Sequence, residues 1–392
     1  MTRVVKRTIN IMLVCQFLIC LGMSLIFPVE PAIKQAYHLS AFDMGGMAAL
    51  FALVQFVASP VVGRVSDKWG RKQMLVWGLG IFASAEFLFA ACNSLAAFNT
   101  SRAIDGLAAA MFVPTSMALA ADITTPAQRA KVIGWLSASF SGGLILGPGI
   151  GGILAADNFK LPFWVAGVLG VISTIVAAIW LPSDEKVGVV THHEEHRQEK
   201  STMTALKEIW SPTVSLLFLM ILVAAFGLAG FEAIYSLYVN QVHGFDLGQI
   251  ALVLTLNGII SLVLQVFCFE AMVKWLGELR LVRWAYLLAA VGTVFVIYDG
   301  IAWQITLATL VVFEAFDLLR PAITTLLTDL GEDNQGLING MNMSLTSVGN
   351  VIGPLMAGAL LDRNYLYPYL VVIAFLLVAW VLTFAVRRRF RA

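Results

Sequence analysis

The sequence predicts an all-α polytopic membrane protein, with twelve transmembrane helices arranged as two pseudo-symmetric six-helix bundles. Three observations carry this reading. The first is composition: of 392 residues, 59% are hydrophobic and 12% charged, and the mean hydropathy is +0.84. Soluble domains are about 45–50% apolar and about 25% charged. The second is an internal repeat at an offset of 206 residues. The third is the sorting of Lys and Arg to alternate loops, the signature of a chain threaded through a bilayer.

A membrane-crossing helix needs about 20 largely apolar residues. Apolar runs bounded by charges or turn residues fall near 9–29, 42–62, 73–93, 97–121, 131–155, 161–181, 212–239, 247–272, 281–298, 302–327, 336–360 and 366–386. Span 1 follows Arg3, Lys6 and Arg7 and ends in Phe27-Pro28-Val29-Glu30-Pro31 rather than a small-residue cleavage site, so it reads as a retained helix. Spans 2 and 3 are joined by Gly63-Arg64-Val65-Ser66-Asp67-Lys68-Trp69-Gly70-Arg71-Lys72. In that stretch Gly63 and Gly70 permit a tight turn and Asp67 can pair with a cation or cap helix N–H groups. Span 4 carries Arg102 and Asp105.

Span 5 has no charge between Lys131 and Asp157, yet it holds Gly134, Gly143, Gly147-Pro148 and Gly151-Gly152. Lipid offers no partner to an open backbone, so this run must be helical, with Pro148 opening a kink. Its glycines make a groove for close helix approach. After span 6 comes the one long hydrophilic stretch, 182–211, which reads as a cytoplasmic linker between bundles 1–181 and 212–392. Spans 7 and 10 contain Glu232 and Asp317. Span 11 repeats the glycine pattern as Gly340, Gly349, Gly353, Pro354 and Gly358, with Ala357 for Gly151. Lys68-Trp69 recurs as Lys274-Trp275, and Pro114 and Asp122 recur, one residue slipped, as Pro321 and Asp329. Parallel repeats of this kind place a binding site between halves near the midplane.

Placing both termini in the cytoplasm puts 20 Lys and Arg inside and only Lys34, Lys160 and Arg363 outside. A net charge of +1 gives no global attraction to nucleic acid. Cys15, Cys20, Cys92 and Cys268 lie in apolar segments without ligand spacing and read as packing residues. His192-His193-Glu194-Glu195-His196 fits the H-x-x-E-H zinc-hydrolase pattern. It lies in the charged linker, with no apolar helix to bury a metal, and reads as a solvated loop. Neither an enzyme nor a metal site is expected.

The loop Gly63 to Lys72 and the pattern Gly134 to Gly152 resemble two motifs of the major facilitator superfamily, the second associated with antiporters. Over essentially its full length the chain is similar to the twelve-helix drug:proton antiporter group, and resembles the NorA-type bacterial multidrug efflux pumps. The matching stretches are Gly230 to Tyr238 and Phe316 to Thr324. The span-4 motif Arg-x-x-Gln-Gly is matched at Arg102 and Gly106, but Asp105 replaces the glutamine. The resemblance implies the major facilitator fold in a bacterial cytoplasmic membrane. It also implies proton-coupling carboxylates at Glu232 and Asp317, and a drug site including Gln55, Tyr235, Phe313, Phe316 and Asn350. Gly63, Asp67, Arg71, Gly143, Gly147, Pro148, Gly353 and Pro354 are the expected conformational residues, with the glycine helices at the contact between halves. The family pocket has an aromatic in span 1 where this chain has Cys20. Met111, Phe112 and Phe140 are further pocket candidates by pattern, against the plainer reading of packing or lipid contact.

The residue chemistry agrees with those roles. A charge at mid-membrane costs roughly 2.5–3.5 kcal/mol on insertion scales and is normally functional. A carboxyl group in apolar surroundings can take a proton on one side and release it on the other. When ionised it also attracts a cationic drug, so proton and drug compete. Three alternatives stand beside this. Asp317 and Arg320, at i,i+3, could form a structural ion pair; so could Arg102 and Asp105. Glu314 lies three residues before Asp317 and could titrate with it; Glu86 in span 3 is also intramembrane. With no Walker A sequence, the expected energy source is the proton gradient and no cofactor is required. The expected partners are small-molecule drugs, protons and the bilayer, with one chain able to act as a monomer. A transporter of one antibiotic, sugar or lipid precursor is the alternative; the antiporter motif counts against an importer.

Overall fold

Helices start where a capping side chain precedes an apolar run. Thr2, Ser94 and Ser211 each accept a hydrogen bond from the backbone N–H three residues on, opening spans 1, 4 and 7. Pro126, Pro162, Pro212 and Pro368 stand at the first turns of spans 5, 6, 7 and 12, where a missing N–H costs nothing. A computed structural model describes residues 1–183, 211–298, 300–330 and 335–386. The histidine-rich stretch 192–196 and most of the linker lie outside these.

Among the described residues there is no strand. The span helices are Arg3–Ser24, Ala41–Trp69, Arg71–Ala91, Leu95–Asp122, Pro126–Ala155, Leu161–Trp180, Pro212–His243, Leu247–Leu276, Glu278–Ile297, Ala302–Leu330, Gln335–Leu361 and Tyr367–Ala385. Eleven are long and apolar enough to cross a membrane. Ala302–Leu330, with 29 residues, has the length for a twelfth crossing, about 43 Å at 1.5 Å per residue.

The turn after span 2 differs from the expectation. The helix continues through Gly63 to Trp69, and the connection shrinks to Gly70 alone, at φ 100°. Gly63 is therefore a helical residue, with nothing within 4 Å of where its Cβ would stand. The second repeat uses the same device: span 8 ends at Leu276, and Gly277 turns the chain at φ 78°. Both conformations suit glycine because other residues meet a Cβ clash there. Pro60, Pro114, Pro148, Pro321 and Pro354 all sit inside continuous helices.

Packing divides the chain into two units: Met1–Leu39, Leu50–His193 and Asp246–Gly258; and Ser40–Ala49, Glu194–Phe245 and Ile259–Ala392. In the first, span 1 packs on spans 5 and 6, and span 3 on spans 4 and 6. In the second, span 7 packs on spans 10, 11 and 12, and span 9 on spans 10 and 12. Apart from the packing of span 7 on span 10, the second set is the first with six added to every label, so the sequence repeat is matched by a repeat of helix pairing. The first core is built on Leu79, Phe82, Phe112 and Ala166. Phe112 is thus a core residue, as its plainer reading held. In the second unit the N-terminus of Ala41–Trp69 is capped by Asp362, whose carboxylate accepts from Ala41 N at 2.7 Å and Phe42 N at 2.9 Å.

The glycine helices serve closer contacts than expected. A Cβ on Gly143 would fall 2.7 Å from Phe17 O, and one on Gly147 1.7 Å from Ser24 Oγ, both on span 1. On span 11, Gly349 and Gly353 approach Ala225 and Phe226 of span 7 in the same way. These four glycines seat spans 5 and 11 on helices of their own repeat, whereas Gly358 meets span 2, where its Cβ would fall 2.3 Å from Ala41 O, so the expected contact with the other repeat is made by other glycines of the same helices. Gly152 has a different neighbour: its Cβ would fall 2.3 Å from Ala251 Cβ, in the Asp246–Gly258 segment of the same unit.

Candidate functional site

Spans 7, 8 and 10 bring polar groups together in the second unit. On span 10 the i,i+3 and i,i+4 spacing puts Phe313, Phe316, Asp317 and Arg320 along one side, with Glu314 beside them. Asp317 is half-buried. Its Oδ2 accepts a 2.6 Å hydrogen bond from Ser261 Oγ of span 8, and Ser261 Oγ in turn accepts from Gln265 Nε2 at 2.8 Å. This donor chain was not anticipated. Its signal is present, because Asn257, Ser261 and Gln265 form an i,i+4,i+8 polar stripe on an otherwise apolar helix. A π-helical segment, Leu264–Cys268, interrupts the span there; such segments recur at functional sites.

Glu232 of span 7 and Glu314 both stand within electrostatic reach of Asp317. Glu232 is exposed, next to the fully buried Phe231. Glu314 is buried, and among the described residues neither of its carboxylate oxygens has a hydrogen-bond partner. Arg320 is exposed and makes no ion pair among the described residues, so the Asp317–Arg320 pair does not form. Glu232 and Glu314 thus each interact with Asp317, and among the described residues none of the three forms an ion pair. Neighbouring carboxyl groups titrate as a coupled set.

The aromatic residues pack behind the carboxyl groups. Tyr235, Phe313 and Phe316 are buried. Phe231 meets Phe313 edge-on at 5.2 Å, Tyr235 meets Phe313 at 5.5 Å, and Phe231 meets Tyr369 at 5.5 Å. The Tyr235 hydroxyl faces Thr309 of span 10. Asn350 of span 11 is exposed, and Gln55 of span 2, in the first unit, is half-buried.

The first unit holds a second charged cluster. Arg102 Nη2 lies 2.7 Å from Asp105 Oδ2 and 3.1 Å from Glu86 Oε1. The guanidinium also lies 5.1 Å from the Phe89 ring centre, a cation–π contact. Arg102 is therefore tied to Asp105, and Glu86 joins the pair; both carboxyl groups are fully buried. The adjacent Gly106 lets span 4 approach span 2, since a Cβ there would fall 2.4 Å from Phe51 O. At the end of span 2, Arg71 binds Asp67 at 2.5 Å, Asp122 at 3.1 Å and Ser66 Oγ at 2.5 Å. Asp67 thus takes a cation partner, as its position predicted. No group of three His, Cys, Asp or Glu residues able to hold a metal occurs among the described residues.

The family model "Major Facilitator Superfamily" matches residues 12–330. "Multidrug resistance protein 1" of Bacillus subtilis (strain 168) is 38% identical over 379 residues, 96% of both chains. "Quinolone resistance protein NorA" of Staphylococcus aureus (strain COL) is 36% identical over 346 residues, 88% of both. Among solved structures, the nucleoside transporter NupG superposes with a TM-score of 0.80 at 12% identity, covering 100% of each chain. The human organic anion transporter MFSD10 superposes at 0.67 with 19% identity, covering 98% of this chain and 100% of its own. At these identities the structural matches speak to fold alone.

Proposed function

The chain belongs to the Major Facilitator Superfamily, and we propose that it is a proton-coupled multidrug exporter of amphipathic, often cationic compounds, working by alternating access between two six-helix halves. The drug-resistance names of its curated relatives support the substrate class. The observation that carries the proton coupling is the carboxyl cluster of Glu232, Glu314 and Asp317, gathered from two spans with no counter-cation among the described residues. The Gln265–Ser261 donor chain steadies Asp317 when it is ionised, because hydrogen bonds to a charged acceptor are the strong ones. When the carboxyl groups are ionised the cluster attracts a cation; when protons arrive, that attraction is lost and the drug leaves. Glu232 supplies the accessible charge, and Tyr235, Phe313 and Phe316 supply an apolar wall behind it.

On this reading the protein works as a single chain in the bacterial cytoplasmic membrane, with both termini and the 182–211 linker inside, and needs no cofactor beyond the proton gradient. The test is dye extrusion driven by an imposed proton gradient in membrane vesicles. Glu232→Gln and Asp317→Asn should each lower ethidium transport by about 10²-fold or more, the scale for loss of a positioned proton-transfer group. Both should leave expression and detergent monodispersity unchanged. Full efflux by Glu232→Gln would sink the assignment.

A further inference from the structure

The first two turns of span 1 carry Arg3, Lys6, Arg7 and Asn10. Their i,i+3,i+4,i+7 spacing sets all four on one helix face. That face, with Ile11 and with Trp180 at the end of span 6, lines a cleft of about 430 Å³. No acidic residue lines it, and among the described residues Arg3, Lys6 and Arg7 make no ion pair. Other cations near the membrane surface do: Arg71 binds Asp67 and Asp122, and Lys274 binds Glu270 at 2.5 Å. Loop cations that only fix topology need neither a shared face nor a cleft.

Two further features point to the chemistry of the occupant. Thr2 satisfies only the Val5 N–H, and an α-helix leaves its first four N–H groups without intrahelical partners. The helix start therefore adds partial positive charge beside the three cations. Trp180 is 53% exposed, and indole rings favour the headgroup level of a bilayer. The cleft sits where the charged start of span 1 meets its apolar run, the part of a crossing helix that meets the headgroups of a bilayer. We propose that it binds a phosphate-bearing anion, supplied by the headgroup of an anionic phospholipid, with Arg3, Lys6 and Arg7 on the phosphate and Trp180 against the glycerol backbone. This site is independent of the transport reading.

The test uses the full chain purified in neutral detergent, titrated with phosphatidylglycerol, phosphatidylcholine or inorganic phosphate. Native mass spectrometry counts retained lipid, and melting temperature reports phosphate binding. The wild type should retain one phosphatidylglycerol in preference to phosphatidylcholine. Replacing all three cations (Arg3→Gln, Lys6→Gln, Arg7→Gln) should weaken this by roughly a hundredfold, the scale for three basic residues near an anionic lipid. Trp180→Ala, at an exposed position, should weaken it less without loss of folding. The control Lys274→Gln with Arg280→Gln should leave it unchanged. A phosphate-induced rise in melting temperature, lost in the triple variant and with no lipid retained, would assign the cleft to a free phosphate and overturn the lipid source. Retention unaffected by the triple variant, or reduced equally by the control, would overturn the site.

Discussion

Arg102 carries one positive charge and faces two fully buried carboxyl groups, Glu86 at 3.1 Å and Asp105 at 2.7 Å. Removing the cation leaves the carboxylate charge uncompensated in an apolar interior, a change that typically costs 3–5 kcal/mol. Arg102→Gln should accordingly lower the melting temperature sharply, and Arg102→Gln with Glu86→Gln should recover part of the loss. Thermal unfolding of the two variants in detergent checks this, and additive losses would refute the shared cluster. The sequence displayed this cluster incompletely. Asp105 stands at helical spacing from Arg102 and could be read as a partner, whereas Glu86 lies 16 residues away on span 3 and reaches Arg102 only through packing. The same limit applies at Asp317. Arg320, its i,i+3 neighbour, is exposed, and the partner of Asp317 is instead Ser261, 56 residues back on span 8. Local spacing offers a pair, but a neighbouring helix decides whether it forms.

At the scale of one helix, the glycines of span 5 are not equivalent. A Cβ on Gly147 would strike Ser24 Oγ, which already donates to Gly143 O at 3.0 Å, whereas Gly134 has nothing within 4 Å. Gly147→Ala should lose about 1–3 kcal/mol, the usual cost of overpacking. Gly134→Ala should be neutral or slightly stabilising, because alanine favours a helix by about 1 kcal/mol. Paired thermal melts would separate them; equal losses would refute the packing assignment. The pattern itself was legible in the sequence, since glycine at this density in an apolar run demands a close neighbour. The identity of the neighbour was not. The repeat equates span 5 with span 11 but carries nothing about what either rests on, and the structure places Gly143 and Gly147 on span 1, Gly349 and Gly353 on span 7. Gly63 was misplaced for a related reason: a glycine followed by charges resembles a turn, yet the helical hydrogen bonds continue to Trp69 and only Gly70 takes a positive φ.

For the whole molecule, twelve spans and their duplication were readable because lipid forces nearly every residue of a crossing segment to be apolar and helical. That constraint writes the architecture into composition. It fixes how many helices exist and leaves their partners to side-chain fit, which is why the matching pair sets, span 1 on 5 and 6 and span 7 on 11 and 12, emerge only in the structure. If transport resides in the two six-helix bundles, residues 190–200 of the linker are dispensable. Deleting them should leave dye efflux at the wild-type level in intact cells. Loss of efflux with normal expression would give the histidine-rich stretch a part in the cycle.

The pairing of span 1 with later helices also sets a schedule for biogenesis. Gln16 and Ser24 are buried polar residues in span 1, which is synthesised before the helices it packs on. Their partners arrive late: Ser116 donates to Gln16 Oε1 across 100 residues, and Gly143 accepts from Ser24 across 119. At about 5–20 residues per second of synthesis, span 1 waits on the order of ten seconds before its match emerges. During that interval Ser24 can bond only within its own helix, to Cys20 O, and Gln16 Oε1 lacks its partner from span 4, which leaves span 1 open to insertase holding or to proteolysis. Slow decoding before span 5 should therefore reduce yield more than the same delay placed after span 6.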